Sequence, residues 1–288
     1  MAIFVDKDTN VLIQGITGRI AAAQTKMMLD YGTRIVAGVT PGKGGQTQFG
    51  IPVYDSVQEA ANEHRIDASV IYVPAPFVGD AAFEAMDAGV RFMVIVTDWV
   101  PLHSEMKIKA YAKTKGTRYI GPNTLGMMIP GQTSLGGILA PAVKPGGVAV
   151  VCRSGALSNE VAPRLAEQGI GQSAVIGLGG DPIVGSRMID VLKLLKEDNQ
   201  TKGALLVGEI GGTMEEEAAE YIEAAFNKPV VAFIAGRTAP RGKAMGHAGA
   251  IIMGERGTAE SKINAFQSAG VPVAKTLWEI PSLVKKMT

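Results

Sequence analysis

The residue in this chain best suited to chemistry is His247, in the segment Met245-Gly-His-Ala-Gly-Ala-Ile-Ile252. The chain has three histidines, and the other two, His64 and His103, lie in segments of surface character. Glycines on both sides of His247 leave room for another group to approach the ring. Because a neutral imidazole is a nucleophile near pH 7, His247 is a candidate for covalent catalysis. The alternative is that the ring only fills a loop.

A carboxylate that could serve this histidine is Glu209, in Gly208-Glu-Ile-Gly-Gly212 at the end of an apolar strand pattern. By accepting a hydrogen bond from one ring nitrogen, Glu209 would fix the tautomer and leave the other nitrogen free to attack. The alternative partner for Glu209 is a nearby base such as Arg237 or Lys243.

A possible phosphate site begins at Ser154, which follows another apolar strand pattern. Ser154 can cap a helix, and the free N–H groups of Gly155 and Ala156 would then bind an anion such as a transferred phosphoryl group. Asp181 follows a third strand pattern. In a doubly wound sheet such loops meet at the carboxyl ends of the strands. We therefore expect one site that contains His247 and Glu209.

A second glycine-containing turn, Gly15-Ile-Thr-Gly18, follows the first strand pattern and precedes a helical one. It is close to a dinucleotide fingerprint, with Ala21 near the third glycine position, but it also fits a plain tight turn. No acid ends the next strand; Thr40-Pro-Gly-Lys-Gly-Gly45 stands there instead. Lys43 disfavours binding of an unphosphorylated NAD ribose and favours a ligand with an extra phosphate, unless the lysine is merely solvated.

Motifs for nucleoside triphosphates and metals are missing from the sequence. The segments around Lys43 and Lys243 lack the spacing and the Ser/Thr of a Walker A loop, and the kinase motifs are absent. One candidate histidine and scattered acids give no metal-ligand spacing, so no metal site is expected. A phosphate acceptor without its own triphosphate site favours a donor on a partner subunit.

Strand and helix patterns alternate along both halves of the chain, which predicts parallel, doubly wound α/β sheets. Residues 124–146 contain five glycines, three prolines and few charges, and they are expected to be a connection. The predicted organisation is a first domain over residues 1–123, the connection, and a second domain over residues 147–288.

Composition narrows the function class further. The formal net charge of +1 over 288 residues disfavours a broad nucleic-acid surface. The single cysteine, Cys152, excludes an internal disulfide framework. The N-terminal segment lacks the pattern of a secretory signal, and no apolar run reaches about 18 residues, so a cytoplasmic protein without a membrane span is expected.

Taken together, the motifs resemble those of the alpha subunit of succinate–CoA ligase (succinyl-CoA synthetase), over nearly the whole chain. The matching segments are Gly15-Ile-Thr-Gly18, Val39-Thr-Pro-Gly-Lys-Gly-Gly45, Ile71-Tyr-Val-Pro-Ala-Pro76, Gly121-Pro-Asn123, Ser154-Gly155, Gly179-Gly-Asp-Pro182, Gly208-Glu-Ile-Gly-Gly212 and Gly246-His-Ala-Gly-Ala-Ile-Ile252.

This resemblance implies an N-terminal Rossmann-like CoA-binding domain and a C-terminal flavodoxin-like ligase domain. It implies that His247 is phosphorylated in turnover, that Glu209 is its partner, and that the Ser154 helix is the phosphate cradle. It also implies a beta subunit with an ATP-grasp site for ATP or GTP with Mg, in an αβ or α2β2 complex. The CoA contacts that it implies are Thr17, Gly18, Arg19, Ile20, Lys43, Pro74, Ala75, Pro76, Val96, Thr97 and Asp98.

The sequence departs from the family pattern around the expected acyl site. Ala156 and Asn159 replace a threonine and a tyrosine, Thr124 replaces a cysteine, and Trp99 replaces a glycine beside the CoA path. Asn159 and Thr124 are therefore the candidate substrate residues.

The expected acid is succinate or a related substituted or dicarboxylic acid. Malate, sulfoacetate or citrate is the alternative, and ordinary succinate use with neutral drift is equally compatible with the residues. A CoA-binding paralogue without turnover is a second hypothesis. An NAD(P) dehydrogenase is a third, based only on the Gly15 turn and disfavoured by the missing acid.

Overall fold

The computed structural model describes residues 3–240, 242–243, 245–252 and 257–287, so the outer limits of the predicted domains, residues 1 and 288, lie outside the described residues. The first half forms a sheet of seven strands in the order β3-β4-β2-β1-β5-β6-β7. These strands are β1 (Val11–Gln14), β2 (Ile35–Val39), β3 (Thr47–Gln48), β4 (Ile51–Tyr54), β5 (Ala68–Ile71), β6 (Phe92–Ile95) and β7 (Arg118–Ile120). All neighbours are parallel except β3 and β4.

Helices cover both faces of this sheet, which is why its central strands are fully buried and apolar except for Gln14 and Ser69, which are hydrogen-bonded to each other. The helices are α1 (Arg19–Tyr31), α2 (Val57–Glu63), α3 (Val78–Asp87) and α4 (Leu102–Lys115). Strand β1 lies between β2 and β5, so the strand order reverses beside it. A crevice opens at such a point beyond the carboxyl ends of the strands. The turn at Gly15 therefore lies at the expected ligand position of the first sheet.

The second half forms another seven-stranded sheet, in the order β14-β13-β12-β10-β11-β8-β9. Its strands are β8 (Gly126–Ile129), β9 (Thr133–Gly136), β10 (Pro145–Cys152), β11 (Gln172–Gly177), β12 (Gly203–Glu209), β13 (Val230–Ala235) and β14 (Val273–Ala274). Its helices are α5 (Gly155–Glu167), α6 (Met188–Glu197), α7 (Met214–Ala225), α8 (Ala259–Ser268) and α9 (Ile280–Lys285). The strand order reverses beside β10, between β12 and β11.

These two sheets confirm the predicted fold class of two successive doubly wound α/β units. The second sheet is mixed and not wholly parallel, because β8 runs antiparallel to β11 and β9 runs antiparallel to β8. Within the described residues, no helix combines the length and the apolar character needed to cross a membrane.

The segment 124–146 differs from the expected plain connection, because β8 and β9 form a hairpin inside it. Its glycines were interpreted as marks of a loop. Two of them, Gly126 and Gly136, instead face each other across the hairpin, where a Cβ on Gly126 would lie 1.8 Å from the Leu135 carbonyl oxygen. Glycine is needed there for close approach of two strands, and the segment extends the second sheet. The boundaries of the domains stay a prediction.

One group of contacts between the two halves lies at the loop that follows β11. The carboxylate of Asp181 in this loop accepts hydrogen bonds from the Val100 N–H (3.3 Å) and the Asn123 side chain (3.1 Å). Glu105 of α4, which is almost fully buried, accepts one from the Ile183 N–H (3.0 Å). The first half of the chain therefore supports the same loop that borders the predicted histidine site.

Candidate active site

His247 and Glu209 are in direct contact. The Nδ1 atom of His247 lies 2.8 and 2.9 Å from the two carboxylate oxygens of Glu209, which ends β12. A carboxylate only accepts hydrogen bonds, so Nδ1 carries the proton and donates it. In the neutral ring the other nitrogen, Nε2, then bears the lone pair. This geometry leaves the nucleophilic nitrogen of His247 turned away from its carboxylate partner.

The same contact changes the titration of the histidine. The hydrogen bond to Glu209 raises the pKa of His247 above its ordinary value, against the opposing effect of burial. The charge of Glu209 and that of Asp181 also raise this pKa, and the charge of Arg153 lowers it. The ring is therefore a neutral nucleophile only above a pKa that exceeds about 6.5.

The absence of a side chain at Gly180 leaves the space that the His247 ring occupies. A Cβ on Gly180 would be 2.4 Å from the Cγ atom of His247, so no side chain fits at this position. The carbonyl oxygen of Gly180 also accepts a hydrogen bond from the Gly249 N–H (2.9 Å), which ties the histidine loop to the loop after β11. The Gly179-Gly180 pair is thus a seat for the imidazole.

Ser154 caps helix α5, as the sequence predicts. Its Oγ atom accepts a hydrogen bond from the Leu157 N–H (3.4 Å). The N–H groups of Gly155 and Ala156, in the first turn of this helix, have no intrahelical partner. Gly155 is buried and Ala156 is exposed. Because β10 and β12 are parallel neighbours, the Ser154 turn and Glu209 follow paired strands at the same edge of the sheet.

The cation beside Glu209 is Arg153, a residue to which the sequence analysis gave no role. Its Nη2 atom lies 3.5 Å from the Glu209 carboxylate, and both side chains are nearly fully buried. Arg237, one of the two bases expected as an alternative partner, instead donates to the carbonyl of Ala274 (2.8 Å). A basic residue directly after an all-apolar strand was the available signal, since a charge at that position is buried and needs a partner.

A cleft of about 890 Å³ opens at the switch point of the first sheet. It is lined by five of the predicted CoA contacts: Thr17, Gly18, Arg19, Ile20 and Pro74. Ile20 and Phe77 expose large apolar surfaces here. Gly18 begins α1 without a side-chain cap, so the first N–H groups of that helix are open to an anion. The lining also contains two acids, Asp80 and Glu84, and Glu84 accepts a hydrogen bond from the Val57 N–H (2.7 Å). The backbone donors, Arg19 and the apolar side chains of the cleft fit a ligand with phosphates and a long organic arm.

The other predicted CoA contacts lie outside this lining. They are Lys43, Ala75, Pro76, Val96, Thr97 and Asp98. Lys43 is exposed in the loop after β2, and the hydroxyl of Thr97 donates to the Val73 carbonyl (2.7 Å) at the border of the cleft. Trp99 is 69% exposed and has a left-handed backbone conformation (φ 56°). Its neighbour Val100 contacts Asp181. Trp99 therefore precedes a residue that joins the first half to the loop after β11.

The two candidate substrate residues differ in how much of their hydrogen-bonding capacity the protein already uses. Asn159 in α5 is half-buried, and its side-chain oxygen accepts a hydrogen bond from the Leu139 N–H (3.2 Å). Thr124 is buried, and its hydroxyl donates to the Gly177 carbonyl (2.7 Å) and accepts from the Gly126 N–H (3.0 Å). Thr124 thus holds the start of the hairpin to β11, whereas the amide group of Asn159 keeps bonding capacity toward a ligand.

No group of three or more His, Cys, Asp or Glu side chains in the described ranges is arranged to hold a metal ion. The thiol of Cys152 is fully buried, and burial raises its pKa to about 12, so it is no nucleophile at neutral pH.

Two family models match the chain: a CoA binding domain over residues 6–99 and a CoA-ligase over residues 151–272. The chain is 52% identical over 287 residues to succinate–CoA ligase [ADP-forming] subunit alpha 2 of Archaeoglobus fulgidus, covering 100% of both chains. It is 52% identical over 282 residues to the corresponding alpha subunit of Staphylococcus aureus, covering 98% of this chain and 93% of the other.

Among solved structures, the chain is similar to ATP citrate lyase from Methanothrix soehngenii in complex with citrate and coenzyme A. The TM-score is 0.90 at 25% identity, over 99% of this chain but only 51% of that one. The chain thus corresponds to about half of the lyase chain. A full-length relative at 52% identity, together with two family models in the expected order, is decisive. The chain belongs to the family of succinate–CoA ligase alpha subunits.

Proposed function

We propose that this chain is the alpha subunit of a ligase in which His247 carries a phosphoryl group between a nucleotide on a partner subunit and a carboxylic acid. The overall reaction joins the acid, CoA and a nucleoside triphosphate to give acyl-CoA, the nucleoside diphosphate and phosphate. The observation that carries the role of His247 is its contact with Glu209 (Nδ1 to carboxylate, 2.8 Å), which leaves Nε2 free.

Each step uses a group already in place. Nε2 of His247 attacks the terminal phosphorus, the bond to the leaving diphosphate breaks, and Glu209 stabilises the positive charge that develops on the ring. The acid carboxylate then attacks the phosphohistidine, takes the phosphoryl group as an acyl phosphate and returns the neutral ring. The CoA thiolate attacks the acyl carbon and phosphate leaves. Splitting one transfer in this way replaces a difficult step by easier ones.

The phosphoryl group needs a cradle while it moves, and we assign this role to the start of α5. The N–H groups of Gly155 and Ala156 and the positive end of the helix dipole stabilise phosphate oxygens. Ala156 is exposed, whereas Gly155 is buried and a Cβ on it would lie 2.4 Å from the Leu125 side chain. Ser154 holds the turn in shape through its cap.

The first-sheet cleft is the proposed CoA site. Arg19 and the open start of α1 would hold phosphates, and Ile20 and Phe77 would contact the apolar parts. Lys43 and Thr97 stand near the border of the cleft and stay predicted contacts. The turn at Gly15 has a positive φ (80°), a backbone conformation that favours glycine at this position.

The nucleotide donor belongs on a beta subunit, and we propose an ATP-grasp fold for it, with Mg bound beside ATP or GTP. The support is the absence of a triphosphate motif from the sequence. The relatives are themselves described as subunits alpha. An αβ or α2β2 complex follows, and which of the two forms exists is a question for solution mass measurement.

The acid is proposed to be succinate or a related substituted or dicarboxylic acid. Ala156 and Asn159 stand where the family pattern has a threonine and a tyrosine, and both lie in the first turns of α5. The Asn159 amide has two N–H donors where a phenol has one, while Ala156 lacks the hydroxyl of a threonine. The site thus keeps its number of donors but moves them, and an acid with an additional polar group, such as malate, sulfoacetate or citrate, is the alternative substrate.

The test is a panel of these acids with the purified complex, measured by thioester formation, together with labelling by NTP carrying a radioactive terminal phosphate. We expect an acid-labile label on the alpha chain that His247→Asn abolishes. The matched control is His103→Asn, since His103 is exposed at the start of α4. Label and turnover that persist in His247→Asn contradict the proposal. Labelling without thioester from any acid favours the altered paralogue.

A further inference from the structure

Arg153 is a buried cation that connects the two parts of the proposed phosphohistidine site. It stands between β10 and Ser154, the cap of α5, and its relative exposure is 4%. Its guanidinium reaches the end of the neighbouring strand β12, where Glu209 lies. The side chain of Arg153 therefore connects the start of the phosphate cradle with Glu209, the residue that orients His247.

The guanidinium of Arg153 contacts both the backbone carbonyl and the side-chain carboxylate of Glu209. Nη1 donates to the carbonyls of Glu209 (3.3 Å) and Gly211 (2.8 Å), and Nη2 lies 3.5 Å from the carboxylate oxygen Oε1 of Glu209. The same Oε1 is 2.8 Å from Nδ1 of His247. The two Nη1 contacts are hydrogen bonds and the Nη2 contact is an ion pair, and a planar fork of fixed donors can make them together, whereas a single ammonium group cannot.

Behind Arg153 lies a second layer of buried charge. Glu215, which is fully buried, accepts from Nη1 of Arg153 (3.3 Å) and from the backbone N–H of Glu209 (3.0 Å). Lys262, also fully buried, is bonded to Glu215 and donates to the Gly212 carbonyl (3.1 Å). Burial opposes ionisation of Glu215, but the attraction of Arg153 and Lys262 outweighs it and lowers the pKa of this carboxyl.

Such a network contributes little net stability, because desolvation of each charge offsets most of the attraction. What it does provide is a fixed position for the carboxylate in front of it. We propose that Arg153 is a positioning residue for phosphoryl transfer, which holds the Glu209 carboxylate in register with His247 and couples it to the Ser154 cradle. This inference rests on the proposed role of His247.

The charges around the two residues set the direction of the expected effect. His247 faces Glu209 of β12, Arg153, and Asp181 of the loop after β11. Glu209 and Asp181 favour the protonated ring and Arg153 opposes it. Arg153 itself faces Glu209, Glu215 and the Cys152 thiol. Removal of its charge therefore raises the pKa of His247, whereas a change of shape at constant charge does not.

The experiment uses the full chain labelled with ¹⁵N-histidine and follows the ring nitrogens of His247 across pH, which needs neither the partner subunit nor turnover. Two variants separate charge from geometry: Arg153→Met removes both, and Arg153→Lys keeps only the charge. The matched control is Arg187→Met, because Arg187 is also an ion-paired arginine beside the same loops, yet its partner is Glu217 (2.5 Å) and not Glu209.

We expect Arg153→Met to raise the pKa of His247 and to decrease the share of the ring with its proton on Nδ1. We expect Arg153→Lys to leave the pKa near the wild-type value but to lower the Nδ1–H share as well. In the αβ complex, both variants should slow labelling of His247 by roughly 10- to 100-fold, a loss of the size seen when an outer partner that supports a site residue is removed. Arg187→Met should change none of these.

A folded Arg153→Met with wild-type pKa and tautomer of His247 overturns the inference. If Arg153→Met does not give a native spectrum, Arg153→Lys decides, and an unchanged tautomer with unchanged labelling overturns it. Failure of the proposed function gives a different result, namely label and turnover retained in His247→Asn. The two failures are therefore distinguishable.

Discussion

The two halves of this chain place a helix start at the switch point of a parallel sheet, but they equip it differently. In the first half, Gly18 is the N-cap of α1 and provides no side-chain cap, in an open cleft where Arg19, Ile20 and Phe77 are among the exposed residues. In the second half, Ser154 caps α5 and buried charges stand directly behind it. The first arrangement suits reversible binding of a large ligand, in which many moderate contacts suffice. The second suits covalent transfer, in which one nitrogen needs a defined orientation and protonation state.

The variant with the largest expected effect is Glu209→Gln, which tests whether the histidine site works separately from the CoA cleft. The variant should lower the rate of His247 labelling by about 10²-fold, because an uncharged amide stabilises the developing positive charge of the ring poorly. It should also lower the pKa of His247, since the hydrogen bond to Glu209 is the main cause of its rise. Single-turnover labelling at several pH values measures both effects. CoA binding should be unchanged, and equal losses in both assays would mean that the two sites are not separate.

Gly180→Ala tests the seat of the imidazole. The added Cβ would lie 2.4 Å from His247 Cγ, so the ring must move and labelling should fall roughly tenfold or more, as expected for a misplaced reacting group. The matched control is Gly79→Ala in α3, where the nearest atom is the Ser104 hydroxyl oxygen at 3.5 Å. That variant should label normally. Normal labelling of Gly180→Ala would show that the ring does not need this position.

The pH dependence of His247 labelling in the wild-type protein tests the Glu209 contact without a substitution. A neutral ring is needed for attack, so the labelling rate should rise with pH through the raised pKa of His247 and level off above it. The midpoint should lie above about 6.5, the value for a free imidazole. CoA binding measured by calorimetry should not follow this profile. A midpoint at or below the ordinary value would remove the role of the Glu209 hydrogen bond.

At the first cleft, Arg19→Ala should weaken CoA binding by about tenfold, or about 1.4 kcal/mol, the size of one charge-assisted phosphate contact. Labelling of His247 should stay at the wild-type rate. Lys26→Ala is the control, because this lysine of the same helix is ion-paired with Asp30 on the exposed surface and does not line the cleft. Equal effects of the two variants would indicate a general charge effect in place of a direct contact.

The smallest effect concerns stability at the junction of the halves. Burial, with the charge of Asp181, raises the pKa of Glu105 to about 7, although the Ile183 N–H opposes the shift. A raised carboxyl pKa stabilises the fold below its unfolded value of 4.5 and loses this effect as the pH rises through about 7. The glutamine in Glu105→Gln stays neutral at every pH. The Tm of this variant relative to that of the wild type should therefore increase between about pH 5 and pH 8. A constant difference in Tm would contradict this assignment.

Much of this arrangement could be predicted from the sequence, since the carboxyl ends of parallel strands must meet. That rule brought Glu209 and His247 together, and the structure places them in contact. The same rule could not choose the cation beside Glu209. Arg237 and Lys243 were nearer along the chain, but Arg153 reaches Glu209 from the adjacent strand β10. Choice of partner depends on strand order, which a single sequence does not give.

Residues with two plausible roles were harder to interpret. Glu215 fits the favourable acidic position in the first turn of a helix, but it is fully buried between Arg153 and Lys262. Glycines have the same ambiguity: a loop, a positive φ and a close approach all favour this residue. At Gly126 a positive φ (94°) coincides with a close strand approach inside a hairpin, and the second of these depends on the partner strand and not on the local sequence.

The exposed indole at the junction has a practical consequence. The chain has two tryptophans: Trp99, next to the Val100 that contacts Asp181, and Trp278, whose ring lies 4.7 Å from the Arg164 guanidinium. Substitution of Trp278 by phenylalanine would leave a protein with a single tryptophan, 69% exposed to solvent. Its fluorescence would then serve as an intrinsic probe of how the two sheets approach each other when a ligand or a partner covers this junction.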